Sequence, residues 1–229
     1  MLHKTKGIVI SYIPYRETSI IVKIYTELFG IQSYIENGVR TAKGKNKVAL
    51  FQPMTLLELV VYHNDKKDLH RISEIKCTDP LLSIPYNVRK SSVAIFINEV
   101  LNKTLKEHID NESMFFFLYQ SVLTLDALSK GIDFFHLIFL AKYSIFLGFA
   151  PQDSAEIEAQ FLEFNINIPV ETETKKYLNL LFKSEFTDEI LVNKTFRNHL
   201  LDVLLAFYRI HQEEFGELKS LQILRTLFT

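Results

Sequence analysis

The sequence predicts an α+β protein, a small antiparallel β-barrel in the first third followed by an all-helical domain. Three observations predict it. Residues 7–76 hold five short runs rich in Ile, Val, Leu and Tyr, separated by polar turns, several with a period of two. Residues 79–85 carry Pro80 and Pro85 and no helical period, so they mark a boundary. Beyond them apolar residues recur three and four apart, the pattern of helices with one buried face. The expected division is residues 1–79 and residues 80–229.

The first strand is expected over 7–13 (Gly-Ile-Val-Ile-Ser-Tyr-Ile). Pro14-Tyr15-Arg16-Glu17 reads as a turn, because proline fixes φ and offers no donor. A second strand over 19–26 puts Ile20, Val22 and Ile24 on one face and Ile21, Lys23 and Tyr25 on the other. Leu28-Phe29-Gly30 turns the chain into a third strand over 31–36, with Gln32, Tyr34 and Glu36 on its more polar side. Asn37-Gly38 resembles a tight hairpin, but the following residues are polar and unpatterned, so a longer loop is expected through Lys47. Residues 48–53 lead into a fourth strand over 55–62, apolar at nearly every position except Glu58 and therefore buried on both faces or under another element. The polar turn 63–68 precedes a fifth strand over 69–76, whose imperfect alternation fits a bulge or an edge position. Five short strands suit a small closed barrel such as the OB-fold; an SH3-like barrel fits the count nearly as well, and strand count does not separate them.

Helices follow. In 88–106, Val93, Phe96, Ile97, Val100, Leu101 and Leu105 form one stripe. Asn111 is placed to cap a second helix running to Lys130, with Gly131 as its stop. Asp133 is placed to cap a third, 134–147, stopped by Gly148 and followed by Pro151; it is apolar nearly all round and so belongs at the centre. Residues 152–170 show the least pattern. A short helix is expected over 171–183 and a long one over 195–215, where Phe196, Leu200, Val203, Leu204, Phe207 and His211 share a face before Gly216. A final helix, 218–228, aligns Leu218, Leu221, Leu224 and Leu227. Stripes of this kind bury one another in a bundle.

The composition narrows the chemistry. The one cysteine, Cys77, excludes an intramolecular disulfide and a multi-cysteine zinc site, and fits a reducing, cytoplasmic setting. It has no electropositive company and reads as inert. The opening Met-Leu-His-Lys-Thr-Lys-Gly has no apolar core of signal-peptide length. The greasiest run, 134–149, is broken by His136, Lys142 and Gly148 and is too short to span a bilayer, so no membrane role is expected. Lys43-Gly44-Lys45 lacks the glycine-rich lead and the following Ser/Thr of a phosphate-cradling loop, and there is no GxSxG turn or HExxH helix. His63, His70 and Cys77 recur at seven-residue steps, a spacing with no geometric merit for a metal on strands separated by a turn. His136 and His211 lie on apolar stripes and read as core residues; Asp188-Glu189 and Glu213-Glu214 read as solvated helix ends. Neither an enzyme nor a cofactor is expected.

The net charge of −1 conceals an asymmetry. Residues 1–80 carry 12 Lys+Arg against 8 Asp+Glu, net +4, and residues 81–229 carry 14 against 19, net −5. The basic half peaks at 38–47 (Gly-Val-Arg-Thr-Ala-Lys-Gly-Lys-Asn-Lys), with Arg40, Lys43, Lys45 and Lys47 and no acid. A cationic loop held out from a β-scaffold is a place to meet a polyanion; the alternative is a solvated surface loop. Arg16 and Lys23 join it on one expected side of the barrel, with Tyr15, Tyr25, Tyr34 and Phe51 close in sequence. A basic groove with interleaved aromatics follows a phosphate backbone while bases stack on the rings; alternatively, the tyrosines cover the core or plug the rim. The expected nucleic-acid-binding residues are Arg16, Lys23, Tyr25, Tyr34, Arg40, Lys43, Lys45 and Lys47. A different reading of the same charge is a protein-interaction adaptor whose basic loop meets an acidic partner.

An ordered series of motifs then stands out. Gly7-Ile-Val-Ile, Pro14-Tyr-Arg-Glu-Thr-Ser-Ile-Ile-Val22, Tyr25-Thr-Glu-Leu-Phe-Gly30, the loop from Asn37-Gly-Val-Arg40, and Phe51-Gln-Pro-Met-Thr-Leu-Leu-Glu-Leu59 resemble the RecO family of bacterial recombination and DNA-repair proteins. Leu147-Gly-Phe-Ala-Pro151 is similar to the segment that in many members precedes a four-cysteine zinc module. The resemblance implies an N-terminal OB-fold and a C-terminal helical domain that is scaffold and partner surface. It implies binding of single- and double-stranded DNA, strand annealing, and help in loading RecA onto DNA coated by single-stranded-DNA-binding protein. It also implies partnership with RecR and docking of the acidic, Phe-ended tail of the single-stranded-DNA-binding protein. Residues 152–170 contain no cysteine, so the zinc module is expected to be missing and packing must hold that segment.

Overall fold

The computed structural model describes residues 1–41, 45–64, 66–105 and 111–228, apart from the side chains of residues 45 and 46. Five strands come first: β1 (Leu2–Tyr15), β2 (Ser19–Thr26), β3 (Gly30–Glu36), β4 (Leu56–Tyr62) and β5 (Leu69–Lys76). They close into a barrel in the order β1-β2-β3-β5-β4, with one parallel pair, β3 with β5, among antiparallel ones. This closed five-stranded arrangement is the OB-fold, which removes the SH3-like alternative. Ile20, Val22 and Ile24 point inward, as their alternation requires, and pack with Val9, Leu57, Leu59 and Val61.

The first strand is longer than its apolar run. Residues 2–8 pair with β4 from Tyr62 back to Leu56, and residues 7–15 pair with β2. The early part, Leu-His-Lys-Thr-Lys, is polar because one face of it looks to water, and a polar alternation of that kind carries little strand signal. A register shift between Val9 and Ser11 bends β1 so that it serves both neighbours, as bulges do. Gly7 sits where a Cβ would come within 2.6 Å of Ile24 Cγ2, so the close approach of β1 to β2 needs a glycine there. The loop after β3 contains a short helix, α1 (Lys45–Val48), and a 3-10 turn, Ala49–Phe51, where a plain connection was expected. Phe51 is fully buried beneath the barrel and anchors that turn.

The helices are α2 (Val88–Thr104), α3 (Glu112–Ala127), α4 (Ile132–Phe146), α5 (Ser154–Glu163), α6 (Thr172–Lys183), α7 (Lys194–His211) and α8 (Leu221–Leu227). The cap of α3 is as expected: Asn111 Oδ1 accepts from Met114 N at 2.9 Å. Two expectations are corrected. The N-cap of α4 is Gly131, whose φ of 75° suits a residue without a Cβ, and Asp133 lies inside the first turn. Its carboxylate is drawn away from capping by the guanidinium groups of Arg89 and Arg197. The least patterned stretch contains α5, capped by Asp153, whose side chain accepts from Ala155 N and Glu156 N. With only Ser154, Ile157 and Phe161 buried, its stripe is too short to register as a period.

Compactness groups the chain into two units, Met1–Ser83 with Leu105–Leu123, and Ile84–Thr104 with Thr124–Thr229. In the first, α3 lays Phe115 against the Tyr25 ring at 6.0 Å, and Tyr119 donates to the Asp79 carboxylate. In the second, α4 is buried nearly all round, with Tyr208 donating to the Leu140 carbonyl at 2.7 Å and the Tyr143 hydroxyl 2.9 Å from Thr104 Oγ1. Glu99 of α2 ties down the approach to α8 by accepting from Lys219 N, Ser220 N and Ser220 Oγ at 2.6–2.8 Å. No helix among the described residues is long and apolar enough to cross a membrane.

Candidate nucleic-acid interface

The candidate interface centres on the β1–β2 turn. Arg16 occupies that turn with φ of 52°, and its guanidinium lies 5.2 Å from the centre of the Tyr15 ring. The chain leaving β3 returns to the same place. Gly38 takes φ of 69°, Thr41 Oγ1 donates back to the Gly38 carbonyl at 2.7 Å, and Ser19 Oγ donates to Asn37 Oδ1 at 2.9 Å. Val39 is completely buried in the barrel core, which turns its neighbour Arg40 outward. Arg40 N donates to the Thr18 carbonyl at 2.9 Å, and its Nη1 donates to the Arg16 carbonyl at 3.1 Å. Arg40 is thereby tethered to the backbone that carries Arg16, and both arginines are exposed.

Lys23 lies on the outer face of β2, exposed, between Ser11 of β1 and Ser33 of β3. Lys47 is differently placed. Its ammonium sits 2.5 Å from a carboxylate oxygen of Glu36, whose side chain is 7% exposed. The pair fastens α1 to the end of β3, and its charge is spent on that carboxylate. Lys43 lies outside the described residues, as does the side chain of Lys45.

The two expected stacking tyrosines are corrected. Tyr25 is 1% exposed, covered by Phe115, and Tyr34 is 0% exposed inside the barrel. Neither offers a ring face to a base. Tyr34 pairs in register with His70, and burial pushes its hydroxyl pKa well up. Apolar burial outweighed the polar look of the Gln32-Tyr34-Glu36 face because that face is the interior one.

Two exposed side chains that sequence reasoning did not select belong to the same barrel surface, Arg71 of β5 and Tyr62 of β4. They are register partners, and Arg71 also pairs with Ile35 of β3. The signal that joins them is strand order, which no local spacing carries.

The three-residue set His63, His70 and Cys77 separates. His63 and His70 stack at 4.7 Å between centroids, and Phe29 stacks on His63 at 3.9 Å, while Cys77 packs against the barrel core. Burial and then Asp79 push the Cys77 thiol pKa up, away from reactivity. Among the described residues no group of three or more His, Cys, Asp or Glu is placed to hold a metal.

Residues 1–81 match the family model for the recombination protein O N terminal region, and residues 85–222 match that for the recombination protein O C terminal region. The chain is 37% identical over 239 residues to the DNA repair protein RecO of Flavobacterium psychrophilum, covering 99% of each. It is 34% identical over 241 residues to the DNA repair protein RecO of Phocaeicola vulgatus, covering 100% of each. To that of Christiangramia forsetii it is 33% identical over 239 residues, again end to end.

Proposed function

The chain belongs to the RecO family of recombination and DNA-repair proteins, and from that premise we propose that it is a non-enzymatic recombination mediator that binds single- and double-stranded DNA and anneals complementary strands. The observation that carries the reading is the Arg16–Arg40 pair, two exposed cations of which Arg40 is held by hydrogen bonds to the Thr18 and Arg16 carbonyls and Arg16 lies by the Tyr15 ring, on a barrel whose sequence is net basic. Lys23 extends the pair, and the loop lysines Lys43 and Lys45 add charge to it. Fixed cations neutralise phosphates without ordering new side chains, and a neutralised strand lets its complement approach without ATP. The barrel of residues 1–79 is the nucleic-acid-binding part, and residues 80–229 are scaffold and partner surface. The partners are RecR, the acidic tail of single-stranded-DNA-binding protein and, indirectly, RecA, in the cytoplasm and at the nucleoid.

The test is a salt titration of DNA affinity, single- and double-stranded, by fluorescence anisotropy. Log affinity is expected to fall linearly with log salt, by about 0.7–0.9 per phosphate contact. Arg16→Ala/Arg40→Ala/Lys43→Ala/Lys45→Ala is expected to weaken all sequences alike and to flatten the slope. A wild-type slope near zero overturns the phosphate-led mode; a variant that binds like wild type moves the site elsewhere. Annealing of complementary oligonucleotides, with and without single-stranded-DNA-binding protein, tests the mediator role.

A further inference from the structure

Helix α5 is apolar on two sides. Ile157 and Phe161 are buried in the helical unit. Ala155, Ala159 and Leu162, spaced four and three apart, form a second stripe, and all three are exposed. Leu162 is 76% exposed, and Phe164, just past the end of the helix, is 53% exposed. A solvated helix turns a polar face to water, whereas a helix apolar on both sides is one that a further element covers. The two alanines keep the stripe shallow, so a partner's side chains can come close to the helix backbone.

Charge says what kind of cover fits. Residues 143–174 carry Asp153, Glu156, Glu158, Glu163, Glu171 and Glu173 and no Lys or Arg. Among the described residues only Glu158 of these six has an ion-pair partner, Lys175 at 2.6 Å. Asp153 caps α5, and Glu156 accepts from Gln152 N. Glu163 adjoins Leu162, and Glu171 and Glu173 lie at the start of α6, which packs against α5. An apolar stripe set among carboxylates suits a surface that offers exposed apolar side chains together with cations. The chain itself has such a surface. At the β1–β2 turn Ile13 is 58% exposed, Pro14 beside it is exposed, and Arg16 and Arg40 are exposed, with Glu17 the one carboxylate of the turn. The loop 38–47 adds Lys43 and Lys45 in sequence, and residues 1–80 are net +4.

We propose that the α5 face docks the β1–β2 turn of a second copy of this chain, with Leu162 and Phe164 meeting Ile13 and Pro14, and the carboxylates meeting Arg16 and Arg40. The contact is heterologous, a different patch on each partner, so it repeats from copy to copy. It engages the arginines that the DNA-binding reading above assigns to phosphates. Resting on that reading, self-association and DNA exclude each other: protein without DNA is held in short runs of copies, and DNA releases it.

The experiment is sedimentation velocity of the full chain over a concentration series, at low salt and at about 1 M salt, where the Debye length falls to about 3 Å. Wild type is expected to self-associate at low salt and to dissociate at high salt. Ile13→Ser/Arg40→Ala damages the turn, and Leu162→Ser/Phe164→Ser damages the face; all four side chains are exposed, so the circular dichroism of both variants is expected to match wild type. Each variant alone is expected to associate about ten-fold more weakly, or worse. Mixed in equal amounts, the two are expected to form a heterodimer and nothing larger, because the face variant keeps an intact turn and the turn variant keeps an intact face. An oligothymidylate added to wild type is expected to dissolve the assembly. Wild type that stays monomeric at low salt overturns the docking, as does a variant that self-associates like wild type or a mixture that forms no heterodimer. An oligothymidylate that binds without dissolving the assembly overturns the exclusion. Wild type that binds no DNA removes the DNA-binding reading, while the sedimentation of the variants still decides the docking.

Discussion

Acidification should destabilise this protein through one side chain in its helical unit. His136 of α4 is 2% exposed, with the Phe96 ring meeting it edge-on at 5.9 Å and the Phe228 ring at 5.9 Å. Burial first, and then the positive charge of Arg197, hold its pKa down to about 3. In the unfolded chain an imidazole titrates near 6.5. Between these values the unfolded state binds a proton that the folded state refuses, so stability is full above about pH 6.5 and is lost as pH falls toward about 3. From about pH 7 to about pH 5 the loss is roughly 2 kcal/mol, which lowers the melting temperature by about 4–8 °C for a chain of this size. Arg197 is itself held by Asp133, and Arg89 sits on the same carboxylate, so that carboxylate is already engaged by two guanidinium groups. His136→Phe keeps a flat ring and cannot titrate. Thermal melts of both proteins at the two pH values measure the effect, and contributions common to both, such as His211 whose pKa burial also lowers, cancel in the difference. A variant that loses as many degrees as wild type would refute the reasoning.

Two further outcomes follow from the packing. Tyr34 is fully buried and its hydroxyl finds no hydrogen-bond partner among the described residues, so Tyr34→Phe should leave stability unchanged or raise it by about 1–2 kcal/mol, while Tyr34→Ala should cost about 3–5 kcal/mol. Urea midpoints check both, and normal DNA affinity in Tyr34→Phe would confirm a core role. Burial alone raises the Glu99 carboxyl pKa, yet hydrogen bonds from Ser220 and Lys219 outweigh it and hold it below the usual value, so Glu99→Ala should cost about 1–2 kcal/mol, read as increased hydrogen exchange in α8.

What could be read from the sequence was whatever rests on periodicity. Ile20, Val22 and Ile24 announced their inward face, and the stripes of α2, α4 and α7 announced a bundle. Asn111 was legible as a cap because the motif is local. Asp133 looked equally good as a cap, but its partners Arg89 and Arg197 lie far off in sequence, and they took its carboxylate. The same limit governed the site. Arg16, Lys23 and Arg40 were identified by charge alone and are exposed, as charge prefers. Tyr25 and Tyr34 were identified by proximity, which says nothing of the side a ring faces. Lys47 was counted as a free cation because Glu36 lies eleven residues earlier and only the α1 turn brings it back. Tyr62 and Arg71 escaped notice because strand pairing, not spacing, makes them neighbours.

The cover that α3 lays over Tyr25 has a bearing on how the protein is made. Phe115 leaves the ribosome roughly 40 residues after the end of β5, about 2–8 s at ordinary rates of chain growth. For that interval a nascent barrel with all its strands leaves Tyr25 bare of Phe115, a ring that is nearly inaccessible once the chain is complete. A ribosome that pauses within that window prolongs the exposure, and chaperones or neighbouring polysomal copies compete for the bare ring. A gene cut after codon 79 makes the interval permanent. The barrel's cover is thus completed by residues lying beyond its last strand.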